Sequence, residues 1–307
     1  MESTAQKTLK SKIHCAGVGL HSGARVNLTM HPADVNSGVT FVRADLPEDR
    51  SVIAARWDRV CDTTLCTVIG NGHGASVGTV EHLMAALRGC GVDNALIELD
   101  GPEVPIMDGS AAPFVFLIES AGVTSQAAIR RAIRILKPVE VREGDKLARL
   151  APGPGFSFSF EIDFPSQAVS RQKGRIRLAN GAFKSDLASA RTFGFLKDVE
   201  GLRARGLARG GSLDNAIVIN GDRIMNEDGL RFEDEFVRHK ILDSIGDLYL
   251  AGAPILGHFH GARSGHTLNN ALLRALFEDE LSWCYDTMDS SDFSHGGWAA
   301  EPLAKTA

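Results

Sequence analysis

Two short patterns in this chain carry the residue types that a hydrolytic metal centre uses. The segment His239-Lys-Ile-Leu-Asp243 places an imidazole and a carboxylate four residues apart. On a helix that spacing puts both on one face, where they can converge on one ion, and Asp247 continues the stripe. The pair Glu81-His82 sets a carboxylate directly beside a second imidazole. Such a neighbour is chemically useful: a bound metal lowers the pKa of its water to about 7, and the carboxylate can take the proton. Two His and one Asp leave one coordination position open, as catalytic sites do, whereas a structural zinc site takes four protein ligands, often Cys.

Spacing alone does not select these residues. With 10 His and 38 acidic residues in 307 positions, about one His followed four residues later by an acid is expected by chance. A solvated i,i+4 pair has the same signature. His258 and His260, which alternate onto one face of a strand, form with His266 a rival ligand set. His266 follows Arg263-Ser-Gly265 and opens a helix, whose dipole favours the neutral imidazole. To serve as a general acid it needs a carboxylate such as Asp247 to keep it protonated. There is no H-E-x-x-H, no G-x-S-x-G and no P-loop. Gly17-Val-Gly19-Leu-His-Ser22 and Gly72-His-Gly74-Ala-Ser-Val77 lack the third glycine of a dinucleotide fingerprint. Serine-hydrolase and dinucleotide chemistry are therefore not expected.

The elements that would hold these groups follow from hydrophobic period. Short apolar-alternating runs at Arg25–Met30, Val39–Val42, Ser51–Ala55 and Thr64–Ile69 read as strands. A helix is expected from Thr79 to about Arg88, with Val80, Leu83, Met84 and Leu87 on its apolar stripe, His82 on the far side and Gly89 and Gly91 stopping it. A buried strand at Ala95–Leu99, a turn at Asp108-Gly109 and a helix near Ala111–Ser120 follow. The polar stretch Gly122–Gln126 is the most plausible boundary, giving domains 1–126 and 127–307. The second half repeats the order: strands at Ala132–Leu136, Val139–Val141, Phe156–Ile162 and Arg175–Leu178, a strand at Ala216–Ile219, a helix from Glu233 to about Leu250, a strand at Ile255–His260 and a helix from His266 to about Phe277. In the long helix Val237, Ile241, Ile245 and Leu248 form one arc, and His239, Asp243 and Asp247 lie opposite it, away from the core face. Each half runs from strands into one helix bearing a charged residue and then a His, which suggests duplication. The fold class expected is α+β, in two similar domains.

Composition narrows the partners. The net charge of -5 repels a nucleic-acid backbone, so nucleic acid is not expected, although Arg171, Lys173, Arg175 and Arg177, or Arg203, Arg205 and Arg209, each form a cluster that can face a phosphate. Five cysteines without a C-x-x-C pair fit a reducing cytosol, and no signal sequence or span of about 20 apolar residues is present. A soluble cytoplasmic protein is expected.

Six motifs in order then carry a resemblance: Gly17–Gly23, Thr79–Leu87, Pro105–Ala112, Arg191-Thr-Phe-Gly-Phe195, Asn226–Lys240 and Ser264-Gly-His266. Together, over about Thr8 to Phe277, they resemble the UDP-3-O-acyl-N-acetylglucosamine deacetylase family of lipid A biosynthesis. The resemblance implies two α+β domains, each a sheet with helices, with the helices packed between the two sheets. It implies one catalytic zinc, for which iron can substitute, on His82, His239 and Asp243, which selects that set over the rival one. Glu81 matches the base, His266 the general acid, Asp247 its partner, and Thr192 a hydroxyl that helps stabilise the oxyanion. Lys240 and Phe193 match substrate-site positions, and Lys146 and Phe164 positions near the UDP moiety. Arg263 stands where a lysine is usual; charge survives but its geometry differs. Leu196, Val199, Ala208, Leu213, Ala216 and Val218 fall in an inserted element that forms an apolar passage for the acyl chain. The implied substrate is a UDP-linked acylated amino sugar and the implied activity hydrolysis of its N-acetyl group by a monomer. A zinc amidase of the same fold acting on another amide, and a silent nucleotide-sugar binder, are the alternatives. No fused second enzyme is expected.

Overall fold

The structure is a computed structural model that describes residues 4–288 and 296–300, so the end of the tail lies outside the described residues. Its fold is α+β. The helices are α1 (Glu48–Ser51), α2 (Glu81–Cys90), α3 (Ala112–Ala121), α4 (Leu196–Ala204), α5 (Glu235–Tyr249) and α6 (His266–Glu278).

A five-stranded sheet in the first half runs in the order Ile13–Val18, Arg25–Pro32, Ala95–Leu99, Val39–Arg43, Val52–Ala54. Its alternation is that of a half-buried sheet: Val26, Leu28 and Met30 point into the core while Arg25 and Asn27 face out. The larger sheet of the second half runs Val139–Glu143, Lys146–Ala151, Ile255–Ala262, Phe156–Asp163, Arg171–Arg177, Gly297–Ala300, and Arg131–Ile135 pairs in parallel with Ile255–Ala262. α5 packs on Phe156–Asp163 and Arg171–Arg177, α6 on Val139–Glu143 and Lys146–Ala151, and α3 on Ile13–Val18. α2 packs against both α3 and α5. α2, α3, α5 and α6 thus lie between the two sheets, and α2 meets α5 where the halves join.

At the polar stretch 122–126, expected as the domain boundary, Val123–Ile129 forms a strand paired antiparallel with Ala5–Leu9. Two local readings of the sequence change. The run Thr64–Ile69 is not one strand. Its first residues form a bend in which Leu65 takes φ 65°, and the strand is Val68–Gly70. The polar face of α5 is not outside the core either. His239, Asp243 and Asp247 are buried with Val237, Ile241, Ile245 and Leu248, because the sheet covers one side of the helix and α2 the other. Amphipathicity marked two buried faces of different chemistry, one apolar and one catalytic.

Candidate active site

α2 contributes Glu81 and His82 from its first turn, and the segment before it is tightly fixed. Thr79 holds a positive φ of 54°, costly for a β-branched residue. Its hydroxyl donates to Glu103 Oε1 at 2.7 Å, and the Glu103 carboxylate also accepts the His21 and Ser22 amides at 2.9 and 2.8 Å. The buried Glu103 therefore ties the Gly17–Gly23 turn to the start of the catalytic helix.

His82, His239 and Asp243 form the one cluster of three potential metal donors among the described residues, with donor atoms within 4.8 Å of one another. His82 Nε2 and His239 Nε2 lie 3.4 and 3.3 Å from Asp243 Oδ1. Bonds of about 2.0–2.2 Å at tetrahedral angles require donor separations of about 3.3–3.6 Å, so these two edges fit a single ion. Asp243 Oδ1 is buried and accepts no hydrogen bond, which the protein alone leaves unexplained and a cation would satisfy. His239 Nδ1 donates to the Ala190 carbonyl at 3.0 Å, which turns the Nε2 lone pair toward the cluster. Burial, only partly opposed by Asp243, pushes His239 down to about 3, so the imidazole is neutral as a ligand must be. Burial alone would raise Asp243, but His239 and Lys240 hold its carboxyl well below the usual carboxylate range. Lys240 Nζ donates to the other oxygen, Oδ2, at 2.6 Å.

Around the cluster lies a proton-handling network. Glu81 is 3% exposed, and burial raises its carboxyl above the usual range despite His266 and His82 nearby. Its Oε2 accepts the Thr67 amide at 3.0 Å. His266 Nδ1 donates to Asp247 Oδ2 at 2.8 Å, leaving Nε2 for proton delivery. Burial pushes His266 down, but the Asp247 carboxylate outweighs it, with Glu81 and Asp243 adding to the effect, and lifts the imidazole to about 9. Asn269 Nδ2 donates to the same Asp247 oxygen at 2.8 Å, and the Thr67 hydroxyl to the other at 2.6 Å.

Of the residues singled out from sequence, Glu81, His82, His239, Lys240, Asp243, Asp247 and His266 come together. Phe193 reaches the cluster through its ring, edge-on to His239 at 6.5 Å, and Phe164 packs on Phe193 and Phe195 at 5.7 Å each. Thr192 is half-buried, its amide bonded to the Gly109 carbonyl at 2.8 Å, between Ala190 and Phe193 that both touch His239. Lys146 and Arg263 lie further out. Lys146 is exposed beside Glu143, and Arg263 is held by Asp145 and Asp163 at 2.6 Å each. Leu196 and Val199 sit on α4, which joins two parallel strands, Phe193–Phe195 and Ile217–Asn220, the second carrying Val218. Leu196 and Leu213 are exposed, and Val199, Ala208, Ala216 and Val218 half-buried. The rival ligands do not gather: His258 and His260 are hydrogen-bonded to Ser157 and Ser159 in the second sheet.

Sequence reasoning missed Thr67, Asn269, Glu103 and His21. His21 Nε2 is buried without a partner, and burial lowers its imidazole, with Glu103 opposing and His266 reinforcing the shift. Asn269, three residues after His266 on α6, was available from helical spacing. Thr67 was hidden by the strand assigned to its segment.

Fold and site together define a metal-dependent amidohydrolase: three buried donors, a desolvated carboxylate beside one of them and an imidazole that Asp247 holds toward its charged form. Residues 6–278 match the family described as UDP-3-O-acyl N-acetylglycosamine deacetylase. The chain belongs to that family. It is 54% identical over 278 residues to the UDP-3-O-acyl-N-acetylglucosamine deacetylase of Phenylobacterium zucineum, covering 91% of this chain and 95% of the relative. It is 54% identical over 280 residues to that of Acidithiobacillus ferrooxidans and 51% over 280 residues to that of Shewanella loihica, with 91% of each chain covered in both cases.

Proposed function

We propose that this chain hydrolyses the N-acetyl group of UDP-3-O-acyl-N-acetylglucosamine, giving acetate and UDP-3-O-acyl-glucosamine, the committed step of lipid A biosynthesis, with one zinc ion on His82, His239 and Asp243. The observation that carries the reading is Asp243 Oδ1, buried, unpartnered and 3.4 and 3.3 Å from two imidazole nitrogens. When bound, the ion supplies Lewis-acid polarisation of the amide carbonyl and a water of lowered pKa. Fe(II) suits the same nitrogen and oxygen donors.

The chain's own residues divide the rest. Glu81, desolvated and therefore more basic than a surface carboxylate, takes the proton from the attacking water as its oxygen bonds to the acetyl carbon. His266, held protonated by Asp247, gives its proton to the amide nitrogen as the carbon–nitrogen bond breaks, so the sugar leaves as the amine. Thr192 supplies a hydroxyl to the charge that develops on the carbonyl oxygen, and Lys240 a cation to the substrate site. Lys146 and Phe164 receive the UDP moiety, Phe193 and Arg263 contact the substrate, and the apolar residues on and after α4 receive the acyl chain. In the described residues no helix is long and apolar enough to cross a membrane.

The test is metal content together with acetate release from the acylated UDP-sugar for wild type, H82A and E81A. The expected pattern is loss of metal in H82A and retained metal with lost turnover in E81A. Full turnover after exhaustive chelation overturns the reading.

A further inference from the structure

Glu81 and Asp247 belong to different helices, α2 and α5, and a residue from neither helix touches both. Thr67 is 2% exposed. Its amide donates to Glu81 Oε2 at 3.0 Å and its hydroxyl to Asp247 Oδ1 at 2.6 Å. The other Asp247 oxygen is taken by His266 Nδ1 and Asn269 Nδ2. An ionised carboxylate only accepts, so the direction of the Thr67 hydroxyl bond is fixed, and it is a short charge-assisted one. Remove it and the buried Asp247 Oδ1 is left without its hydroxyl partner. Thr67 closes the bend at Thr64–Thr67, which leads into the strand Val68–Gly70, so its position is set by the first half of the chain while Asp247 and His266 belong to the second.

We infer that Thr67 is a positioning residue: through one amide and one hydroxyl it fixes the base and the carboxylate that orients the acid relative to each other, across the junction of the two halves. The inference rests on the roles given above to Glu81, Asp247 and His266. Base and acid act on opposite ends of one amide, at the attacking water and at the leaving nitrogen, so their separation is what a bound substrate must match. A misplacement of about 1 Å in such a pair costs about a hundredfold in rate. A merely structural Thr67 would lower stability and metal content and leave the rate per folded, metal-loaded enzyme unchanged.

The experiment is steady-state kinetics with metal analysis on T67V, which keeps the shape and removes the donor, and on T67S, which keeps the donor. T67V is expected to keep full metal content and a KM within about twofold of wild type while kcat falls about ten- to a hundredfold. T67S is expected to recover to within about threefold of wild type. In a D247A background T67V is expected to cost nothing more, because the partner of the hydroxyl is already gone. A T67V kcat at the wild-type level, a T67S as impaired as T67V, or full additivity with D247A each overturns the inference. Should T67V fail to fold, T67A against T67S gives the same comparison. E81Q separates this from the underlying reading: an inactive, metal-loaded E81Q beside a fully active T67V sinks the inference alone, and a fully active E81Q sinks both.

Discussion

Gly246 of α5 lies directly against the backbone of Glu81 on α2: a Cβ built at Gly246 would come 1.9 Å from the Glu81 carbonyl oxygen and 2.7 Å from its carbon. Only a residue without a side chain lets the two helices approach this closely, and the approach brings His82 to the His239–Asp243 face. G246A must push α2 and α5 apart at the residue next to a metal ligand. The expected outcome is a loss of about 1–3 kcal/mol in urea unfolding together with weakened metal retention. Wild-type values of both would show that the helix separation does not set the site.

Lys240 gives a second test of how the ligands are posed. By holding Asp243 Oδ2 at 2.6 Å it leaves Oδ1 as the atom facing the two imidazoles, and its charge helps keep the carboxyl ionised. K240M is expected to bind metal about 10–100-fold more weakly, since it removes the partner that orients a ligand. Competition against a chromophoric chelator measures this directly. An unchanged affinity with a raised KM would confine Lys240 to the substrate.

How much of this was legible in the sequence depends on the range of the interaction. Helical period found α2, α5 and α6 to within two residues at each end, and i,i+4 spacing paired His239 with Asp243, because both are local properties. The third donor, His82, sits 157 residues from His239, and spacing gave no reason to join them; the resemblance did. The same amphipathic pattern suggested a polar face away from the core, since a period records which side differs and not what covers it. Thr67 was illegible for a sharper reason. Its segment alternates like a strand, and the left-handed Leu65 that bends it is neither Gly nor Asn, so no turn chemistry announced it.

The ionisation of His266 sets the basic limb of the rate profile. Its imidazole is lifted to about 9 in the protein without metal, and a bound dication nearby lowers it, so kcat/KM is expected to fall with a limb at or below about 9. D247N removes the main cause of the lift and leaves burial opposed only by Glu81 and Asp243, so the limb moves to lower pH. Stability follows the same sign. Because the folded value lies above the ordinary 6.5, the contribution of the Asp247–His266 pair is fully present below about 6.5 and is lost as pH rises toward about 9. Urea midpoints of metal-free wild type and H266Q across pH 6–9.5 should converge at the alkaline end, and a constant gap would contradict the assignment.

The buried pair Arg191–Glu235 supports the site from behind. Glu235 is fully buried and accepts the Arg191 amide at 3.0 Å, its Nε at 2.9 Å and the Arg231 amide at 2.6 Å. Arg191 in turn lies between Ala190, whose carbonyl holds His239 Nδ1, and Thr192. Removing one partner leaves an uncompensated charge in a place water does not reach, so E235Q is expected to cost about 3–5 kcal/mol in urea unfolding. The double variant R191M/E235L is expected to lose less than the sum of its two single variants, because neither charge then remains to be solvated. If the pair also poses the ligand, the metal affinity of E235Q falls while that of a surface-pair variant such as R142Q does not. Strict additivity of the two substitutions would mean that Arg191 and Glu235 act on the fold independently, and the His239 anchor would then rest on the Ala190 backbone alone.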